Sequence, residues 1–414
     1  MTPALRRRPI AAGAVLAVAV LGLPGSAAAQ ATGNATATAN QPQSKHHGPG
    51  KWKPGKKTAP GQILRSKPSS FQYTPGQPTP TKAWKITYRS TSANGRPNAV
   101  SGTVIVPDDG RTTARPLITY AVGTVGLGDK CAPSAGFPGG TTAEAPLVNA
   151  ALVRGYAVVV TDYEGLGTPG DHTYMVAKAQ GSAVLDAARA AQRHPGAAKY
   201  GVSAKAPVGI MGYSQGGGAS AKAAEMAGTY APELNLKGTA SGGVPADLAA
   251  VAKSLEGGDS AGYLLMSAVG QNAANPALKL RSYLNKEGRR LAQVVRSECI
   301  GTVLEAGRGK KIEDVTTSNP LDRPDWQRAI AKQLIGTKRP SAPVYLYHGD
   351  ADETIPYTVG QKLRADWCAK GLSVEWKSFA GQSHVGTAIQ GNGPALEWLG
   401  QRFADQPTTG NCGT

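Results

Sequence analysis

Residues 207–218, Pro-Val-Gly-Ile-Met-Gly-Tyr-Ser-Gln-Gly-Gly-Gly, constrain this chain more than any other stretch. At the centre, Gly212-Tyr213-Ser214-Gln215-Gly216 sets a serine between two glycines, each two residues away. An apolar run precedes the serine and an Ala-rich stretch with helical spacing follows it, which predicts a sharp turn from strand into helix. Small residues at 212 and 216 let such a turn close, and the helix start favours negative charge developing in front of the serine. Ser214 is therefore a candidate nucleophile. A structural glycine turn is the alternative for the five residues alone, and the flanking strand and helix speak against it.

A serine hydroxyl is a weak nucleophile and needs a base. The chain has six histidines. His46 and His47 lie in a polar N-terminal stretch without further metal ligands nearby. His172 follows Gly-Thr-Pro-Gly-Asp in a loop ahead of the serine. His194 precedes Pro195, where capping of the preceding helix end is expected. His348 closes an apolar run and reads as a packed strand end, with support of the site as the other reading. His384 sits in Gly-Gln-Ser-His-Val-Gly, between a strand-like run and the last helical stretch. Where strands and helices alternate around a serine of this kind, the chain order is serine, acid, histidine, and His384 fits it.

The acid is expected in His348-Gly349-Asp350-Ala351-Asp352-Glu353-Thr354-Ile355-Pro356. The stretch from Gly349 to Pro356 resembles a G-x-x-D-x-x-V/I-P pattern common in α/β-hydrolases, and that resemblance favours Asp352, with Asp350 and Glu353 read as turn or surface groups. Its task is to fix the imidazole tautomer and stabilise the imidazolium. An oxyanion site needs two donors: the Gln215 amide, and amides of the Gly-rich loop 121–131, with Val125 and Gly126 as candidates.

The wider pattern supports a sheet beneath this site. Runs at 84–90 and 99–106, with Asn94-Gly95 between them, predict a hairpin. Apolar runs at 116–122, 156–161, 207–211, 343–347 and 372–376 alternate with helical spacing at 181–194, 215–229, 357–369 and 394–403. This predicts an α/β fold, a mostly parallel sheet with helices on both faces. Residues 245–340 read as helices without a clear strand, a helical cap inserted into the core. The expected division is a signal peptide at 1–29, a basic flexible arm at 30–80, core at 81–244, cap at 245–340 and core again at 341–414.

Charge and cysteines bear on compartment and partners. Residues 1–106 carry 14 of the 45 Lys and Arg and no Asp or Glu, leaving 31 basic against 27 acidic residues beyond. Of the net charge of +18, +14 thus lies in residues 1–106 and only +4 beyond them, and a nucleic-acid-binding body is not expected. Weak attraction of the arm to anionic envelope surfaces is one expectation. Arg6-Arg7-Arg8, an apolar run over 10–23 and Ala27-Ala28-Ala29 predict a secretory signal cleaved near Ala29, through the general or the twin-arginine route. No later stretch predicts a transmembrane span. Cys131, Cys299, Cys368 and Cys412 are even in number and lack a C-x-x-C spacing, which predicts two disulfides rather than a metal site. From the sequence alone three pairings are open.

Several separated stretches resemble the secretory lipase family of α/β-hydrolases, whose best-known members are yeast enzymes of the Candida lipase A type. They include Cys131-Ala132-Pro133-Ser134, Asp162-Tyr163-Glu164-Gly165, Tyr230-Ala231-Pro232-Glu233-Leu234-Asn235, Asp352 to Tyr357, Cys368-Ala369-Lys370-Gly371 and Asn411-Cys412-Gly413. The resemblance implies an α/β-hydrolase fold with a helical cap, a Ser214–Asp352–His384 triad, and bridges Cys131–Cys299 and Cys368–Cys412. It also implies an acidic residue helping to form the oxyanion site where this chain has Val125, which carries no polar side chain. The expected activity is secreted ester hydrolysis on acylglycerols or related lipid esters, with neither metal nor cofactor. Two other readings are a peptidase of the prolyl-oligopeptidase type and a non-catalytic envelope-binding relative.

Overall fold

The short β-branched and apolar runs assemble into a nine-stranded sheet in the computed structural model, which describes residues 58–413. The strands are β1 (Ile63–Ser69), β2 (Gln72–Thr74), β3 (Gln77–Pro78), β4 (Thr81–Thr91), β5 (Pro97–Pro107), β6 (Leu117–Ala121), β7 (Ala157–Tyr163), β8 (Val208–Tyr213), β9 (Leu236–Gly242), β10 (Val344–Gly349) and β11 (Val374–Phe379). The main sheet runs β1-β4-β5-β7-β6-β8-β9-β10-β11, while β2 and β3 pair by themselves. From β7 onward neighbours are parallel; β1, β4, β5 and β7 pair antiparallel. Every residue of β6, β7, β8 and β10 is buried, as expected where both faces of a parallel sheet are covered.

Covering helices come in two packed pairs. Ala177–Gln192 lies against Gln215–Tyr230, and His384–Phe403 against Ala145–Leu152. The hairpin read from Asn94-Gly95 is β4–β5, with Trp84 opposite Val104 and Tyr88 opposite Val100. Residues 245–340 contain helices and no strand, and they lie in sequence between β9 and β10. Their apolar side chains, among them Met266, Leu278, Leu280 and Trp326, form a cluster that takes in Leu127, Tyr174 and Met175 from loops of the sheet.

Three expectations are corrected. The arm does not run flexible to residue 80, because β1 pairs along β4 from residue 63. Its central residues Arg65, Ser66, Lys67 and Pro68 are exposed and give no apolar alternation, a composition that an edge strand tolerates. The strand β9 went unread because Leu-Lys-Gly-Thr-Ala-Ser-Gly has few apolar residues; burial is met instead by polar pairing, with Ser241 and Ser220 hydroxyls 2.7 Å apart. The last helix begins at His384 rather than 394, and Pro394 lies inside it. Glycines at 386, 391 and 393 masked its first turns. The signal peptide (1–29), the first part of the arm (30–57), and His46 and His47 lie outside the described residues. Among the described residues no helix is long and apolar enough to cross a membrane.

Candidate active site

Parallel strands deliver their loops to one edge of the sheet, and the candidate residues leave from the carboxyl ends of β8, β10 and β11. Ser214 follows β8 with φ 59° and ψ −121°, the left-handed side of backbone space that a non-glycine residue occupies under strain. Its N–H donates to the Gly242 carbonyl at 3.0 Å, tying the bend to the end of β9. Gly216 permits the bend: a Cβ there would collide with the Ala121 carbonyl at the end of β6. Gln215 opens the following helix, so its N–H belongs to the unpaired first turn.

His384 opens the last helix, with Ser383 as N-cap accepting from Gly386 N–H. Its Nε2 lies 2.8 Å from Ser214 Oγ and its Nδ1 2.7 Å from Asp352 Oδ2. Sequence separations of 170 and 32 residues thus close into one hydrogen-bonded row. Asp352 Oδ1 accepts from the N–H groups of Thr354 and Ile355 at 2.9 and 2.8 Å. Burial pushes the Asp352 carboxyl up, but hydrogen bonds from His348 and His384 outweigh it and hold the group below the usual carboxylate range. Asp352 is therefore an anion facing the imidazole. The Tyr213 ring packs 5.0 Å from the His384 ring and limits its rotation.

The remaining candidates have defined places. His348, a buried member of β10, donates from Nε2 to the Ile355 carbonyl at 2.9 Å, with Asp352 Oδ2 at 3.3 Å. It is both a packed strand residue and a partner of the acid. Glu353 is more than a surface group, because its Oε2 accepts from the His384 N–H at 3.0 Å. Asp350 accepts from Gly381 N–H in a turn. His194 does not cap the end of the preceding helix; it caps the start of the short helix Pro195–Ala198, accepting from Ala197 N–H, with Ser66 Oγ 2.8 Å from its other nitrogen. Pro195 at the first helical position favours that arrangement.

The oxyanion loop is tied down on its far side. Val125 accepts from Ile300 N–H at 3.0 Å, and Gly126 forms an isolated antiparallel bridge with Cys299. A disulfide joins Cys131 to Cys299 beside that bridge, and a second joins Cys368 to Cys412. Tyr174, His172 and Glu144 approach the site unannounced by any motif. Thr124 Oγ1 lies 2.9 Å from the Tyr174 hydroxyl, and Tyr174 lines the same apolar cavity as Ser214 and Gln215. His172 Nδ1 donates to the Glu164 carbonyl, which leaves Nε2 to accept from the Gln215 side-chain amide at 3.1 Å. Its burial lowers the imidazole to about 4. Glu144 accepts from Gly123 N–H. A place ahead of the serine in the chain excludes His172 as the base, but that criterion does not sort supporting groups.

The cavity beside Ser214 is walled by Leu248, Val251, Leu255, Tyr263, Leu264 and Ile355. A second apolar cavity within the helical segment shares Leu248, Ala252, Leu264 and Ser267 with it and continues to Leu284 and Trp326.

Comparison with known proteins places these features. The family described as Secretory lipase matches residues 138–411. A probable inactive lipase of Mycobacterium tuberculosis is 30% identical over 84% of this chain and 80% of its own length. Lipase 5 of Candida albicans is 31% identical over 86% and 79%. Among solved structures, Candida antarctica lipase A in its closed state superposes with a TM-score of 0.77 at 24% identity, covering 86% of this chain and 85% of its own, a likeness of fold.

Proposed function

Because this chain belongs to the secretory lipase family, we propose that it is an extracellular hydrolase that cleaves lipid esters through an acyl-enzyme on Ser214. The observation that carries the reading is the Ser214–His384–Asp352 row, with contacts of 2.8 and 2.7 Å. His384 Nε2 takes the Ser214 proton as Oγ attacks the ester carbonyl, and the Asp352 anion stabilises the resulting imidazolium. The tetrahedral oxyanion meets the Gln215 amide and the 124–126 loop, where Val125 and Gly126 offer amides and Thr124 adds a hydroxyl. His384 then protonates the leaving alcohol, and a water activated by the same nitrogen releases the acid.

The apolar walls beside Ser214 favour an ester whose acyl chain is apolar. The second cavity, reached past Leu264, gives room for a chain longer than a few carbons. Residues 245–340 act in this reading as a cap over the site. Export through a signal peptide at 1–29 accords with the family's description. The mycobacterial relative's name motivates a second reading, a body that has lost catalysis. The unbroken hydrogen-bonded row supports the catalytic one.

Purified protein is expected to hydrolyse p-nitrophenyl esters and to react at Ser214 with a fluorophosphonate probe. Ser214→Ala should lower kcat by about 10⁴-fold or more with its thermal transition retained. Hydrolysis undiminished in that variant, or folded wild-type protein that takes no probe, would contradict the proposal.

A further inference from the structure

The loop that must supply the second oxyanion donor leaves β6 through the Val122–Gly123 peptide, and both polar atoms of that peptide are held by side chains. The Val122 carbonyl accepts from the Tyr163 hydroxyl at 2.7 Å, and the Gly123 N–H donates to Glu144 Oε1 at 2.8 Å. The other carboxylate oxygen, Oε2, accepts from the Tyr120 hydroxyl at 2.8 Å. A carbonyl and an N–H on opposite edges of one planar unit, each with a fixed partner, leave that plane no free rotation. A Cβ at position 123 would run into Glu144 Oε1 and lie 3.3 Å from the Tyr213 carbonyl, so a side chain there would have to displace the carboxylate. The loop is therefore seated directly between the Glu144 carboxylate and the residue before the nucleophile. Thr124 is next in the chain, and its hydroxyl meets Tyr174 at the cavity that Ser214 lines.

We propose that Glu144 is a positioning residue for ester hydrolysis, accepting the Gly123 N–H so that the following residues of the loop present their donors to the ester oxygen. The inference rests on the function proposed above and adds to it a group outside the triad. Glu144 stands on the segment before the helix Ala145–Leu152, far from any motif of the sequence. Burial, eased by the bonds from Tyr120 and Gly123, raises its carboxyl to about 7. The ionisable groups bearing on it are phenols: Tyr120 from β6, Tyr163 from β7 and Tyr347 from β10, each pushed up by burial and hence neutral. A carboxylate at this spot accepts the Gly123 N–H more strongly than a neutral acid does, so loop seating tightens as pH rises through about 7.

The test compares wild type, Glu144→Ala and Glu144→Gln on p-nitrophenyl butyrate, with phenylboronic acid as a mimic of the tetrahedral state. Glu144→Ala is expected to lose about tenfold or more in kcat, with KM within about threefold and boronate affinity falling in parallel. Glu144→Gln keeps an acceptor for the Gly123 N–H and is expected to recover most of both at pH 8. Wild type is expected to rise more steeply in kcat between pH 6 and 8 than Glu144→Gln, which has no carboxyl to titrate there. A merely structural role would lower the thermal transition without the parallel loss of kcat and boronate binding. If Glu144→Ala keeps kcat within twofold, or Glu144→Gln is as impaired as Ala, the assignment is overturned. Should Glu144→Ala not fold, Gly123→Ala decides, since its methyl group displaces the carboxylate: the same kcat loss is expected, and unimpaired turnover overturns the proposal. Wild type without esterase activity, or Ser214→Ala with full activity, would sink the functional reading itself, a result separate from these.

Discussion

Asp352 is held by four groups at once, which explains how one of three neighbouring acids is selected. The Thr354 and Ile355 amides take one oxygen, while His384 and His348 approach the other. Neither Asp350 nor Glu353 faces the imidazole Nδ1; Glu353 instead accepts the His384 backbone N–H and steadies the helix start. The same economy appears at His172, which keeps its neutral tautomer by donating to Glu164 and accepting from Gln215. Its lowered value of about 4 has a thermodynamic consequence. Between the ordinary 6.5 and about 4, the unfolded chain takes up a proton that the folded one refuses. The contribution to stability is therefore complete above pH 6.5 and declines as pH falls toward 4, by up to roughly 3 kcal/mol. His172→Gln, which cannot titrate, should melt below wild type at pH 7.5 by a margin that shrinks at pH 4.5. Taking the difference between the two proteins cancels Glu144, whose raised value acts with opposite sign. An equal margin at both pH values would rule out the titration.

At the scale of elements, the stretches that carried the family resemblance meet one another in space. Ser134 N–H and hydroxyl both donate to Asp162, a buried carboxylate that also accepts from Ser101. Glu233 pairs with Arg189, and Tyr230 donates to Asp186 on the same helix. These contacts fix the loop after β6, the end of β7 and the two helices that flank the nucleophile, so such residues serve the frame rather than the chemistry. The helices of 245–340 have a different task, since their apolar faces wall the cavities beside Ser214. Leu264 borders both cavities. Leu264→Trp is expected to narrow the passage between them, leaving p-nitrophenyl butyrate turnover within about threefold while palmitate turnover falls by about tenfold or more. A chain-length profile unchanged by the tryptophan would remove the second cavity from the acyl path.

Across the whole molecule, the two disulfides constrain unlike things. Cys368–Cys412 closes 44 residues at the C-terminus, whereas Cys131–Cys299 closes 168 and ties the loop after β6 to the helical segment. On a chain-entropy view the longer closure stabilises by about 5 kcal/mol. It also stands beside the Gly126–Cys299 bridge, so its loss frees the loop that carries Thr124. Cys131→Ala/Cys299→Ala should therefore lower both Tm and kcat, while Cys368→Ala/Cys412→Ala lowers Tm with kcat largely kept. Equal effects on kcat from the two pairs would show that the longer bridge has no bearing on the site.

The chain by itself determined the candidate nucleophile, its candidate base and the alternation of strand and helix. Each rests on local chemistry: glycines two residues either side of Ser214, an apolar run before it, and a histidine after the last strand. Resemblance to a family pattern singled out Asp352, and in the structure the turn that follows it gives one carboxylate oxygen two amides within three residues. Where burial was met by polar pairing rather than apolar side chains, as in β9, the pattern carried no signal, and the edge strand β1, exposed over its central four residues, gave none either. The family resemblance named the cysteine pairs that the structure joins, while only the tertiary structure decided where the Val125–Gly126 stretch is anchored, and that Glu144, His172 and Tyr174 stand at the site. Those three act through single contacts made across 21 to 50 residues, and a contact between distant residues has no periodicity for a sequence to display.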